Sequence, residues 1–155
     1  MKKHELIANL STGKMKAFGQ EVDISCVVRN EVNGWRKKDQ IVKSIPANRP
    51  IMPRRFPKGT WAISMPLPRD TPYLAPYFIP TDAWQLLPVW SLDGQGHYDK
   101  PTDTMTKDSG YGLHYSESNS TQGCIKIMTM TDLLWLVTKI KNALNAKERV
   151  TLTVI

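Results

Sequence analysis

Long apolar runs are missing from this sequence. None approaches the roughly 18 residues that cross a bilayer as a helix, which excludes a membrane-spanning helix. The opening Met1-Lys2-Lys3-His4-Glu5-Leu6-Ile7-Ala8-Asn9-Leu10 is basic, but Glu5 and Asn9 interrupt its apolar residues, so no Sec-type export signal is expected. Cysteine is scarce. Cys26 and Cys124 are too few for a disulfide scaffold and lack the paired spacing of a zinc site, which leaves one nucleophile and one core residue. Asp99, Asp103 and Asp108 do not fall at calcium-loop spacing, and no metal and no cofactor is expected. Internal repeats and low-complexity tracts are absent. Acidic side chains are outnumbered 14 to 21, giving a net charge of +7 that attracts polyanions such as nucleic acid, wall polymers or anionic membrane surfaces.

What is present fits one globular domain. The 155 residues match the usual domain length, so residues 1–155 are read as a single unit. Hydrophobic residues at 41% and charged residues at 23% are ordinary globular usage.

The first third reads as strands. Leu6 to Leu10 and Met15 to Phe18 flank the turn-forming Ser11-Thr12-Gly13-Lys14 and predict a hairpin. Val22, Ile24, Cys26 and Val28 then recur with the two-residue period of a half-buried strand, with Cys26 on its buried side. Residues 30–59, with Asn33-Gly34, Arg36-Lys37-Lys38 and four prolines, are too long for an idle connection and read as a lid or substrate-facing segment. Thr60 to Ser64 resumes a strand, and Pro66 to Pro80 is a proline-rich excursion. Trp84 to Trp90 reads as an edge strand or bulge because of Pro88, and Asp93 to Gly96 as a turn. Tyr111 to Tyr115 and Cys124 to Ile127 are two further short strands joined by the loop Ser116 to Gln122. Thr131 or Asp132 is positioned to cap a helix whose stripe is Leu133, Val137, Ile140 and Leu144, with Lys139, Lys141 and Lys147 near its negative end. Arg149 to Ile155 alternates as a closing strand. The expected fold is mainly β, with one late helix covering a face of a bent sheet.

The chemistry concentrates in Gly112-Leu113-His114-Tyr115 and Ser120-Thr121-Gln122-Gly123-Cys124-Ile125-Lys126-Ile127. A thiol is nucleophilic as its thiolate, which is a minor species at neutral pH for a free cysteine. A neighbouring imidazole takes the proton or stabilises the anion. His114 and Cys124 lie on adjacent short strands, which are spaced about 4.8 Å apart. Gly123 lets backbone and substrate approach closely, as an oxyanion site needs, and Gln122 or Thr121 adds a side-chain donor. Among the other histidines, His97 has a turn-like surface setting and His4 is near the terminus. Trp61, Trp84 and Trp90 are read as core or cleft-wall aromatics.

This segment resembles the signature of the L,D-transpeptidase (YkuD-type) catalytic domain family. Members carry a His followed by a Ser/Thr-x-Gly-Cys-Ile/Val-Arg/Asn-like motif, here His114 and Thr121-Gln122-Gly123-Cys124-Ile125-Lys126. An upstream Thr-Pro-x-Gly-Thr-Phe-like element is similar to Phe56-Pro57-Lys58-Gly59-Thr60-Trp61, and residues 131–155 follow the family's order of a helix and then a last strand. The resemblance implies a β-rich α+β fold, a bent sandwich or barrel-like sheet with a C-terminal helix and a final strand. It implies Cys124 as nucleophile, His114 as base, an oxyanion hole of the Gly123 and Cys124 amides, and substrate contacts from Thr121, Gln122, Lys126, Tyr115 and Trp61. The implied substrate is the peptidoglycan stem peptide. Its terminal D-alanine is expelled through a Cys thioester, and the acyl group passes to an amine (transpeptidase) or to water (carboxypeptidase).

Three departures from the family pattern stand out. His114 precedes Cys124 by ten positions where the family commonly has more than a dozen, Gln122 replaces a common His, and Lys126 replaces Arg or Asn. The short loop is similar to that of type VI secretion effectors and small phage-encoded relatives. That implies synthesis in the cytoplasm and action at the wall after delivery, with any delivery or immunity partner left open. A papain-like peptidase fits less well, because there the nucleophile opens a helix and precedes its histidine. The remaining alternative is a non-enzymatic basic module for wall polymer or nucleic acid, though little basic-aromatic interleaving supports it.

Overall fold

The computed structural model describes residues 2–26, 55–71, 74–92, 98–117 and 124–155. Its first three strands, β1 (Lys3–Asn9), β2 (Lys14–Ala17) and β3 (Gln20–Ser25), form an antiparallel meander. At the first turn the Asn9 side chain accepts the backbone N–H groups of Ser11 (3.0 Å) and Thr12 (3.1 Å), an Asx turn that satisfies donors the ladder leaves over. At the second, Phe18 and Gly19 both have positive φ, 48° and 75°, the mirror-image turn whose twist matches a two-residue hairpin. Two-residue alternation buries Leu6, Ala8, Met15, Ala17, Val22, Ile24 and Cys26 on one side, as the sequence predicts for Cys26.

The remaining elements are β4 (Gly59–Ala62), β5 (Leu67–Pro68), β6 (Tyr77–Pro80), β7 (Gln85–Leu92), β8 (Tyr98–Asp108), β9 (Gly112–His114), β10 (Ile125–Ile127), the helix α1 (Met130–Asn145) and β11 (Arg149–Val154). Nine strands join in the order β4-β11-β1-β2-β3-β10-β9-β6-β5. The last strand lies parallel to the first, Leu6 beside Leu152 and Ala8 beside Val154. The sheet curls into a half-barrel. Ile63, just past β4, bridges to Thr81, just past β6, and Ser64 donates to the Pro80 carbonyl at 3.0 Å. The mainly β architecture with a C-terminal helix and a last strand is therefore as the sequence implies. No helix among the described residues is long and apolar enough to cross a membrane.

Helix α1 packs across β11, β10 and β6 through Leu133, Leu136, Val137, Ile140 and Ala143. Its cap is Thr129, whose hydroxyl accepts the Asp132 N–H at 3.1 Å, and not Thr131 or Asp132. Its last turn holds no basic residue. Lys141 instead places its Nζ 4.6 Å from the Tyr77 ring centroid. The helix ends in a Schellman motif: Glu148 N–H reaches the Ala143 carbonyl (2.9 Å), Lys147 N–H the Leu144 carbonyl (3.0 Å), and Lys147 takes a left-handed φ of 59°. The Glu148 carboxylate then meets His4 Nε2 at 2.9 Å, and Arg149 N–H donates to the Lys2 carbonyl, which sets β11 into register beside β1.

Three other sequence readings need correction. The excursion Pro66 to Pro80 contains β5 and β6, and residues 98–108, given no element by periodicity, form the longest strand, β8. This strand pairs with β7 as a separate two-stranded ribbon, whose register shifts beside Pro88 bear out the expected bulge. Of the two readings of Trp84, core or cleft wall, the core one is excluded: the residue is exposed just before β7, with Lys107 Nζ 5.1 Å from its ring centroid. Val27, Val28, most of the segment 30–59, the turn 93–96 and His97 lie outside the described residues.

Candidate active site

β9 and β10 are parallel neighbours, Leu113 beside Ile125 and His114 beside Lys126. Each is flanked by an antiparallel partner, β6 beyond β9 and β3 beyond β10. Alternation divides the residues by side. Leu113, Ile125, Ile127 and Ile79 have no exposure and join the core cluster. Phe78, His114 and Lys126 form a row across the opposite side.

Cys124 immediately precedes β10, two residues before Lys126. Two residues along a strand at about 3.3 Å each, and one strand across at about 4.8 Å, put the His114 and Cys124 Cα atoms about 8 Å apart. Gly112 lies in register beside this position. A Cβ there would sit 2.4 Å from both the Ile79 carbonyl oxygen and Phe78 Cζ, so only glycine lets the Phe78 ring lie over β9.

His114 is 6% exposed. Burial pushes its imidazole below the ordinary 6.5, the Lys126 charge adds in the same direction, and a contact with the Tyr115 backbone opposes both. Nδ1 itself is buried. The result is a neutral ring at neutral pH, in the state a general base requires. Cys124 is part-exposed, and its Sγ donates to the Gly110 carbonyl at 3.9 Å.

The segment that presents this carbonyl is braced by residues to which the sequence reading gave no such role. Tyr111 is 1% exposed and its hydroxyl donates to Asp108, itself buried. Gln85 donates through Nε2 to the Tyr111 hydroxyl (2.7 Å) and to the Arg55 carbonyl (2.8 Å), and the Phe56 ring lies 5.4 Å from Tyr111. These contacts tie the base of the β7–β8 ribbon to the approach of β9. Their partners are far apart in sequence and leave no spacing signal.

No family model, curated protein or solved structure matches this chain. The site therefore rests on its own geometry. Among the sequence-predicted residues, His114 and Lys126 stand side by side in the β9–β10 ladder, Lys126 Nζ lies 5.8 Å from the Tyr115 ring centroid, and Cys124 immediately precedes β10 with its Sγ toward the Gly110 carbonyl. Trp61 is held on β4, where its indole N–H donates to the Pro57 carbonyl at 2.9 Å and its ring lies over Gly59. Gly123, Thr121 and Gln122 lie outside the described residues.

Proposed function

We propose that the protein is a cysteine-dependent acyltransferase of the L,D-transpeptidase type, acting on peptidoglycan stem peptides. The observation that supports this reading is a buried imidazole on β9, its pKa lowered, with a part-exposed thiol at the start of the neighbouring parallel strand. His114 takes the Cys124 proton, and the thiolate adds to the carbonyl that precedes the terminal D-alanine. Collapse of the tetrahedral adduct breaks the C–N bond, and His114 returns the proton to the departing amine. The thioester then passes to an amine, forming a cross-link, or to water, leaving a shortened peptide. The net charge of +7 suits an anionic wall as the place of action, reached by secretion or phage delivery.

Incubation with purified sacculi tests this reading. The protein should release D-alanine or form new cross-links, and Cys124→Ala should abolish both. Full activity in Cys124→Ala ends the proposal. Salt-sensitive binding of wall polymer or nucleic acid, unchanged by Cys124→Ala and without any release, would favour the basic binding module instead.

A further inference from the structure

Glycine is the residue least able to fix its own peptide plane, yet the carbonyl that Cys124 Sγ approaches at 3.9 Å belongs to Gly110, whose φ is 88°. Its neighbours supply the rigidity. Asp108, buried, ends β8 on one side. On the other, Tyr111 is held at three points. Its hydroxyl donates to Asp108 Oδ2 and accepts from Gln85 Nε2, its carbonyl accepts the Thr81 hydroxyl at 2.7 Å and the Thr81 N–H at 3.2 Å, and its ring packs on Phe56. The Tyr111–Asp108 hydrogen bond closes a ring around Ser109 and Gly110, so the flexible plane is clamped from both ends. Filling the core there would need only a phenylalanine. The hydroxyl adds an anchor, and what it anchors is the segment that meets the thiol. A carbonyl oxygen that accepts S–H favours the thiol over the thiolate, because its negative end faces the sulfur.

We propose that Tyr111 is a positioning residue for Cys124: through Asp108 it holds the Gly110 carbonyl against Sγ, which fixes the sulfur and keeps it as the thiol until His114 takes the proton. This deepens the acyltransfer reading and rests on it for the step that the sulfur performs. The resting site is then a thiol beside a neutral imidazole, not a preformed ion pair, and a thiol is spared the oxidation to which a thiolate is prone. The titratable groups on the surrounding elements are His114 on β9, Lys126 on β10, Asp108 at the end of β8, and Tyr111 and Tyr115 on either side of β9.

The test uses the full chain and the rate of Cys124 alkylation by iodoacetamide from pH 5 to 10, read by peptide mapping, with slow labelling of buried Cys26 as the check that the fold is intact. Tyr111→Phe should move the midpoint of the profile to lower pH and raise the rate below it about two- to ten-fold, the worth of one ordinary hydrogen bond. Mere loosening would raise the rate at every pH and leave the midpoint in place. Asp108→Asn keeps an oxygen acceptor for the Tyr111 hydroxyl and removes the carboxyl, so its midpoint should stay near wild type. If Tyr111→Phe labels at Cys26, Gln85→Leu replaces it, with a smaller shift of the same sign expected. An unmoved midpoint in the folded variant, or the same shift in Asp108→Asn, overturns the proposal. A shifted midpoint with no D-alanine release from sacculi by wild type would sink the acyltransfer reading and leave the brace standing. Release with an unmoved midpoint would do the reverse.

Discussion

Replacing Gly112 by alanine sets two effects of opposite sign against each other. Removing a glycine from the unfolded ensemble stabilises by about 0.4–1 kcal/mol where the native backbone accepts a side chain. Here the added Cβ lands 2.4 Å from the Ile79 carbonyl oxygen and 2.4 and 2.5 Å from two atoms of the Phe78 ring. The ring is the far end of a flexible side chain and can swing. The carbonyl belongs to β6, paired with β9 through Ile79 and Leu113, so relief there means prising the two strands apart. Overpacking of this kind costs about 1–3 kcal/mol, and a weakened ladder hydrogen bond about 0.5–1.5 kcal/mol more. The clash wins, with a net loss of about 1–4 kcal/mol, or a Tm lowered by several degrees for a domain of this size. Urea unfolding followed by circular dichroism measures it, with an unchanged slope expected. A midpoint equal to or above wild type would refute the close approach of β6 and β9 on which the site geometry depends.

Other outcomes follow from single contacts. Thr129→Ala should lower stability by about 1 kcal/mol through loss of the hydroxyl that caps α1, whereas Thr131→Ala should leave it nearly unchanged in the same unfolding assay. Because burial and Lys126 hold His114 below the ordinary 6.5, the unfolded chain binds a proton below that pH which the folded chain refuses, so this residue makes stability fall on acidification and recover as pH rises. Unfolding free energies from pH 7.5 to 5 should accordingly slope less in His114→Gln than in wild type, and parallel slopes would contradict the buried neutral ring. Iodoacetamide on native protein should alkylate Cys124 before Cys26, since Cys26 is 6% exposed and packed in the core, with peptide mapping as the readout.

Periodicity made much of the fold legible. Val22, Ile24 and Cys26 announce a half-buried strand, and the stripe Leu133, Val137 and Ile140 announces the helix. Its cap was misplaced because Thr129, Thr131 and Asp132 are all good capping residues, and only the Thr129 hydroxyl meets an N–H of the first turn. Strand β8 had no signal because Tyr98–Asp108 lies in a two-stranded ribbon with little apolar burial on its own side to impose alternation. Pro68, Pro76 and Pro80 disguised β5 and β6, yet Pro68 and Pro80 stand at strand ends, where prolines are tolerated. The two short strands that carry His114 and follow Cys124 were legible as neighbours. Their parallel direction was not, because no local pattern encodes the sense of a pairing. The bracing of Gly110 through Tyr111, Asp108 and Gln85 arises from tertiary packing that no local pattern encodes.

Intact-protein mass spectrometry after brief exposure to a stem tetrapeptide tests the nucleophile most directly. The account predicts a mass increase equal to the acyl tripeptide, mapped to Cys124, absent in Cys124→Ala and formed more slowly in His114→Gln. An unmodified Cys124 under conditions where D-alanine is released, or an adduct that forms equally fast without the imidazole, would contradict it.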